Sequence, residues 1–207
     1  MYAGRDTVLE KGEKVREVSL YTMRDKVVQT SIAQELHKIY EPRFSNCVYA
    51  YRSNRSAMIA AEKIEKEILS GQYTWAAKTD IESFFDRIQI SVLKRKLRRI
   101  IKEDEVIELI EMELKAPVLG KSGQLEAKTL GIYQGSSISP VLSNIYLDDF
   151  DHMIEREPVF YIRYSDDILI MGRSRDQLQN LITKIKILLE PYGLMLKGRK
   201  NVTLPLE

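Results

Sequence analysis

Residues 160–171 read Phe-Tyr-Ile-Arg-Tyr-Ser-Asp-Asp-Ile-Leu-Ile-Met. Two apolar runs, rich in β-branched and aromatic residues, flank a short polar centre. That pattern predicts a buried β-hairpin with Ser165, Asp166 and Asp167 at its turn. Adjacent carboxylates on so apolar a support are costly, because each loses solvation and repels the other. A hard cation removes that cost, and paired carboxylates suit magnesium. The alternative is an ordinary exposed turn, where Asp is common. A second acidic signal bears on the choice. Residues 75–81 (Trp-Ala-Ala-Lys-Thr-Asp-Ile) read as another buried strand with Asp80 near its end. Two strands delivering three carboxylates to one place would make a two-metal phosphoryl-transfer site.

With those residues in view, the chain resembles a known family. Tyr164-Ser165-Asp166-Asp167 is similar to the Tyr-x-Asp-Asp box of reverse transcriptases. Residues 80–86 (Asp-Ile-Glu-Ser-Phe-Phe-Asp) resemble that family's first catalytic motif, in the form carried by group II intron and related bacterial enzymes. Residues 131–140 (Gly-Ile-Tyr-Gln-Gly-Ser-Ser-Ile-Ser-Pro) resemble the segment written Gly-x-Pro-Gln-Gly-x-x-x-Ser-Pro, with Tyr133 in place of the proline. Residues 16–29 and 51–56 resemble two fingers motifs of the same lineage. The likeness runs over about residues 12–204.

The resemblance implies an RNA-directed DNA polymerase core. A primer 3′-hydroxyl attacks the α-phosphorus of a deoxynucleoside triphosphate on an RNA or DNA template, and pyrophosphate leaves. Asp80 and Asp166 are expected to bind two Mg2+ ions, with Mn2+ able to substitute; Asp167 completes the site and the Ile81 carbonyl is a further ligand. Lys14 and Arg16 are expected to hold the triphosphate, although a solvated edge strand also carries such residues. Gln134 and Gly135 are expected beneath the nascent base pair. Phe85, five residues after Asp80, holds the place of an aromatic gate against a 2′-hydroxyl. Strand alternation would put Phe84 on the opposite side, in the core. Lys200 occupies the place of a lysine proposed to protonate pyrophosphate, or is an ordinary hairpin lysine. Tyr164 is expected against nucleic acid. Arg52 and Arg55 either clamp template phosphates or pin their loop through backbone carbonyls.

Composition narrows the class further. The chain has 207 residues, 44% hydrophobic and 30% charged, which is globular rather than disordered. A net charge of +2 does not by itself announce nucleic acid. Cys47 is the only cysteine, so no intrachain disulfide forms and secretion gains no support. No apolar run approaches membrane-spanning length, and the expected compartment is the cytoplasm.

Periodicity predicts a helix from an Asp25 cap to about Tyr40, facing the core through Val28, Ile32, Leu36 and Ile39. A second runs over 56–70 with Met58, Ala61, Ile64 and Ile68 inward. One or two helices cover 91–115, where the basic cluster 94–99 is either a backbone-binding surface or a solvated face. Gly120 and Gly123 mark a hairpin. A long helix is expected within 136–155, an amphipathic helix over 176–190, and two closing strands at 194–196 and 202–204. The expected class is α+β: polymerase fingers (1–74, with an insertion at 91–136) and a palm (75–90 and 137–207). The palm is a ferredoxin-like split βαβ sheet with helices on one face. The thumb that follows in the family is expected to be absent.

Two other functions compete. One is an RNA-binding maturase or defence component with weak or vestigial polymerase activity. The other, an RNA-dependent RNA polymerase, usually carries Gly-Asp-Asp and an acidic residue where this chain has Phe85.

Overall fold

The computed structural model describes residues 3–11, 14–120, 123–198 and 202–206, with side chains described at 18–120, 123–198 and 203–206. In chain order the elements are β1 (Ala3–Lys11), β2 (Lys14–Ser19), α1 (Met23–Tyr40), α2 (Ala57–Leu69), β3 (Trp75–Asp80), α3 (Phe84–Arg87), α4 (Ile90–Leu97), α5 (Asp104–Lys115), β4 (Val118–Leu119), β5 (Leu125–Glu126), α6 (Ser139–Glu155), β6 (Phe160–Tyr164), β7 (Asp167–Gly172), α7 (Arg175–Leu189) and β8 (Val202–Pro205). They form two compact units, Met1–Tyr40 with Phe85–Tyr146, and Glu41–Phe84 with Leu147–Glu207.

In the first unit, β1 and β2 pair antiparallel, and β1 runs parallel to β4, giving the order β2-β1-β4-β5. The predicted hairpin at Gly120 and Gly123 is the β4–β5 pair. Strand β1 escapes periodicity because charged residues interrupt its short Thr-Val-Leu run.

Helix α1 forms as expected, but turned. Its buried residues are Asp25, Gln29, Ala33, Leu36 and Tyr40; of the predicted apolar set only Leu36 is among them, Val28 and Ile32 being half-buried and Ile39 exposed. Asp25 is not the cap: Thr22 Oγ1 accepts its amide at 3.3 Å and donates to its carboxylate at 2.7 Å. Polar residues can face inward because they find partners there. Gln29 Nε2 donates to Glu113 Oε2 at 3.2 Å, and Gln29 Oε1 accepts the Ser137 amide at 3.2 Å.

Helices α4 and α5 pack through Val92, Leu93 and Leu97 against Ile107, Ile110 and Leu114, which are buried. The basic cluster on α4 meets the acidic face of α5. Lys94 pairs with Glu111, Arg98 Nη2 lies 2.6 Å from Asp104 Oδ1, and Lys96 is buried. The cluster is thus partly neutralised, while Arg95, Arg98 and Arg99 stay exposed.

In the second unit the sheet order is β6-β7-β3-β8, with every neighbouring pair antiparallel. With α6 between β3 and β6 and α7 between β7 and β8, this is the expected split βαβ arrangement. The register assigns the two faces. Tyr164, Asp167, Lys78 and Asp80 share one face with Ile162, Leu169, Phe160 and Met171; Tyr161, Arg163, Ile168 and Ile170 point the other way. Helix α7 packs on β3, β7 and β8 through Leu178, Ile182, Ile185 and Leu189, as its period predicted.

Within the second unit, α2 lies over the carboxylate face, packed most closely at its far end. There Tyr49, Ala60 of α2, Phe160, Ile162 and Met171 form a core cluster. The predicted inward face of α2 holds in part: Ala60 is its buried residue and Ile64 packs against the cluster as expected, while Met58 is 69% and Ile68 36% exposed. Ser56 caps α2, accepting the Ile59 amide at 3.2 Å. Of the two expected closing strands, β8 forms and the first is reduced to one bridge, Ile81 to Leu196.

Candidate active site

The three carboxylates of the second unit are positioned by backbone pairing. Strands β3 and β7 run antiparallel so that Asp80 stands opposite Asp167. Tyr164 pairs with Asp167, leaving Ser165 and Asp166 as a two-residue turn. Ser165 has φ +58°, the left-handed conformation that a tight hairpin demands and that only a few non-glycine residues adopt. The Ile81 amide donates to the Asp166 carbonyl at 2.9 Å, tying the turn to the end of β3. The sheet thus brings Asp80, Asp166 and Asp167 to one end, as the sequence predicts.

Each strand carboxylate has a lysine beside it. Lys197 Nζ lies 3.6 Å from Asp80 Oδ2, and Lys78 Nζ lies 3.4 Å from Asp167 Oδ1. The Lys197 amide also donates to the Asp80 carbonyl at 2.9 Å. Sequence reading missed both lysines. Lys78 was accessible to it, since residues two apart on a strand share a face. Lys197 was not, because it arrives through a tertiary contact. Tyr51, likewise missed, places its hydroxyl 3.2 Å from Ser165 Oγ.

A donor set of three carboxylates suits a hard divalent cation. Among the described residues no group of three or more His, Cys, Asp or Glu side chains converges into a ready ligand set. Asp80 and Asp167 instead lean on their lysines. The Lys78–Asp167 pair is exposed and of a kind with a median worth of about 0–1 kcal/mol, whereas Asp80 is only 8% exposed. A divalent ion would replace the lysines as counter-charge to these carboxylates.

The two arginines of 51–56 differ. Arg52 Nε donates to Glu41 Oε1 at 2.9 Å, Nη1 to the Ser45 carbonyl at 2.7 Å and Nη2 to the Glu41 carbonyl at 3.1 Å. Its side chain is 5% exposed. This is the loop-pinning alternative, with no face left for a phosphate. Arg52→Ala should lower stability by about 2–3 kcal/mol in urea denaturation, because buried carbonyls lose a charged donor. Arg55 stacks on Tyr49 with 4.9 Å to the ring centroid and donates to Asn46 at 2.6 and 2.9 Å. Its truncation should cost under about 1 kcal/mol.

The remaining candidates lie in the first unit. The Gln134 carbonyl accepts the Ser19 amide at the end of β2 at 2.8 Å. Gly135, at φ +100°, approaches so closely that a Cβ would stand 2.4 Å from the Ser19 carbonyl oxygen. Strand β2 carries Lys14 and Arg16, whose side chains are outside the described set, and Lys200 lies outside the described residues altogether. Phe84 and Phe85 are not on a strand: they open the short helix α3, after Ser83 at φ +48°. A helical step of about 100° still separates them. Phe84 is 2% exposed and Phe85 half-buried. Gly131 and Ile132 dock on α3 through Gly131 N to the Ile88 carbonyl (2.9 Å) and Ile132 N to the Phe85 carbonyl (2.8 Å). The first unit thus gathers β2, Phe85 and Gln134-Gly135. Tyr133, standing where the family has proline, is buried; its hydroxyl donates to the Glu126 carbonyl at 3.1 Å and accepts the Lys128 amide at 3.0 Å.

Comparison with known proteins gives the same grouping. The family described as reverse transcriptase (RNA-dependent DNA polymerase) matches residues 8–205. A putative COX1/OXI3 intron 2 protein of Saccharomyces cerevisiae is 34% identical over 143 residues, covering 69% of this chain and 16% of that protein. The group II intron-encoded protein LtrA of Lactococcus lactis is 32% identical over 145 residues, covering 70% of this chain and 24% of LtrA. This chain thus spans a minor part of those relatives' length. Among solved structures, telomerase from Candida tropicalis in complex with a fragment of telomeric RNA superposes with a TM-score of 0.76 at 16% identity, over 99% of this chain and 41% of that one. Telomerase from Candida albicans, likewise with telomeric RNA, gives 0.74 at 15%, over 100% and 43%. At those identities the likeness shows the fold, and the family match supplies the rest: this chain belongs to the reverse transcriptase family.

Proposed function

We propose that this chain is the polymerising core of an RNA-directed DNA polymerase. The observation that carries the reading is the in-register pairing of Asp80 with Asp167 beside the Asp166 turn, at the open end of a split βαβ sheet. Asp80, Asp166 and Asp167, with the Ile81 carbonyl, would hold Mg2+, and Mn2+ suits the same oxygen donors. Bound there, the metal supplies Lewis acidity for the attacking hydroxyl and charge neutralisation for the departing phosphates.

The chain's own residues do the positioning. Tyr164 stands exposed on the carboxylate face, where a primer-template backbone would run. Gln134 and Gly135 offer backbone and amide to a base pair without a side chain between them. Lys14 and Arg16 would meet the triphosphate, and Lys200 is a candidate donor to pyrophosphate. The RNA template is supported by the family and by the telomerase structures, which are described with RNA.

Primer extension tests the reading. The protein should add deoxynucleotides to a primer on an RNA template only when Mg2+ or Mn2+ is present. Tight RNA binding without any extension would overturn it in favour of a binding module.

The sugar gate is separately testable. The half-buried Phe85 ring should exclude a 2′-hydroxyl, because a packed aromatic face offers it neither room nor a partner. In the same polypeptide, Phe85→Val should raise ribonucleotide efficiency relative to deoxyribonucleotide by at least about tenfold. Phe84→Val should instead cost about 2–4 kcal/mol of stability through the cavity it leaves. Lost discrimination in Phe84→Val, with Phe85→Val unchanged, would reverse the assignment.

A further inference from the structure

Behind the carboxylate turn, on the opposite face of the sheet, lies a buried charged network. The Arg163 side chain is 0% exposed. Its Nε donates to Asp151 Oδ1 at 2.7 Å and its Nη2 to Asp151 Oδ2 at 2.6 Å, a two-pronged fork from β6 to α6. Tyr161 donates its hydroxyl to Asp151 Oδ1 at 2.6 Å. Burial first, and then the Asp151 carboxylate, raise that phenol well above its ordinary value, so it stays a donor. The remaining arm, Nη1, donates to the Ser165 carbonyl at 2.8 Å.

Ser165 is the left-handed residue of the turn, immediately before Asp166 and Asp167. A buried ion pair is a poor device for stability alone, since apolar residues of the same volume often do as well. Its useful property here is direction. The fork fixes the guanidinium plane, and the plane aims an Nη1 N–H at the carbonyl of a strained residue. The backbone of Arg163 is braced as well: its amide donates to the Cys47 carbonyl at 2.8 Å, and its carbonyl accepts the Tyr49 amide at 2.9 Å.

We propose that Arg163, aligned by Asp151 and Tyr161, is a positioning residue that sets the angle at which the turn presents Asp166 and Asp167 to a divalent cation. The inference rests on the reading of those carboxylates as a metal site. A group that orients ligands through a hydrogen bond changes metal affinity by about 10–100-fold when removed.

Mn2+ titration of this 207-residue chain, read by the electron paramagnetic resonance of the free ion, tests it alongside thermal unfolding. The triple variant Tyr161→Phe, Asp151→Leu, Arg163→Met removes the network while keeping the volume. It should unfold cooperatively near the parent's temperature and bind Mn2+ at least about tenfold more weakly. Arg163→Lys is the second variant. One ammonium cannot make the fork and reach Ser165 together, so Mn2+ binding should again weaken while Asp151 keeps a counter-charge. Parental Mn2+ affinity in a folded Arg163→Lys, or in a folded triple variant, overturns the proposal and leaves the metal site standing. A parent that binds Mn2+ no better than Asp166→Asn overturns the metal site, and this proposal falls with it.

Discussion

Asp80→Asn and Asp166→Asn should each lower primer extension by the protein on the order of 10³-fold, the scale on which losing a group that stabilises transition-state charge acts. The substitution keeps volume and shape and removes one ligand charge. Without metal, the variants should be as stable as the parent or slightly more so, because neighbouring carboxylates no longer repel across the turn. A fall in activity accompanied by unfolding would point to a structural role instead. The discriminating comparison is therefore extension rate against melting temperature for each variant. Near-parental extension by both variants would remove the carboxylates from the chemistry.

A large effect on the fold is expected at Gly131. Its φ is +85°, and a Cβ there would stand 2.7 Å from Asp86 Cα and from the Asp86 carbonyl oxygen. Both obstacles are backbone, so no side chain can swing aside. Gly131→Ala combines a left-handed penalty of about 1–2 kcal/mol with forced displacement of α3 costing about 1–3 kcal/mol. The sum, about 2–5 kcal/mol, is a large share of a domain's usual margin. Gly71→Ala is the internal control. Its φ is +66° with nothing within 4 Å of the added carbon, so only the conformational part applies. Urea denaturation should show Gly131→Ala clearly worse than Gly71→Ala. Equal losses would mean that the Gly131–Asp86 approach is not tight in solution.

The parts that were legible in the sequence share one property: their signal is local. The Phe160–Met171 run encodes its own hairpin by alternation, and Leu178, Ile182, Ile185 and Leu189 encode the buried side of α7. The family-like boxes likewise sit on contiguous residues. What escaped depends on partners far along the chain. Helix α1 turns toward Asp25 and Gln29 because Glu113, 84 residues beyond Gln29, offers an acceptor inside. An apolar-face rule cannot see that. Strand β1 is made by backbone pairing rather than by side-chain pattern.

The candidate site divides the same way. Asp80, Asp166 and Asp167 were readable from their motifs, whereas Lys197 and Asp151 reach their partners only through the folded sheet. For Arg52 the type of residue left two roles open, and geometry chose: three buried acceptors surround one guanidinium. The two phenylalanines show the opposite case. The expected strand was a helical turn, yet the predicted separation of a buried Phe84 from a more open Phe85 survived, because both geometries point consecutive residues apart.

Thermal unfolding of this chain with and without Mg2+ tests the central claim, that three carboxylates on the β3–β7 pair make one divalent-metal site. A ligand that binds only the folded state stabilises it by an amount that grows with the ratio of concentration to Kd, about 2.7 kcal/mol at a hundredfold excess. The parent's melting temperature should climb as Mg2+ is raised at constant ionic strength, and that climb should vanish in Asp80→Asn and in Asp166→Asn. A parent that melts at the same temperature throughout, or variants that respond as the parent does, would contradict the account.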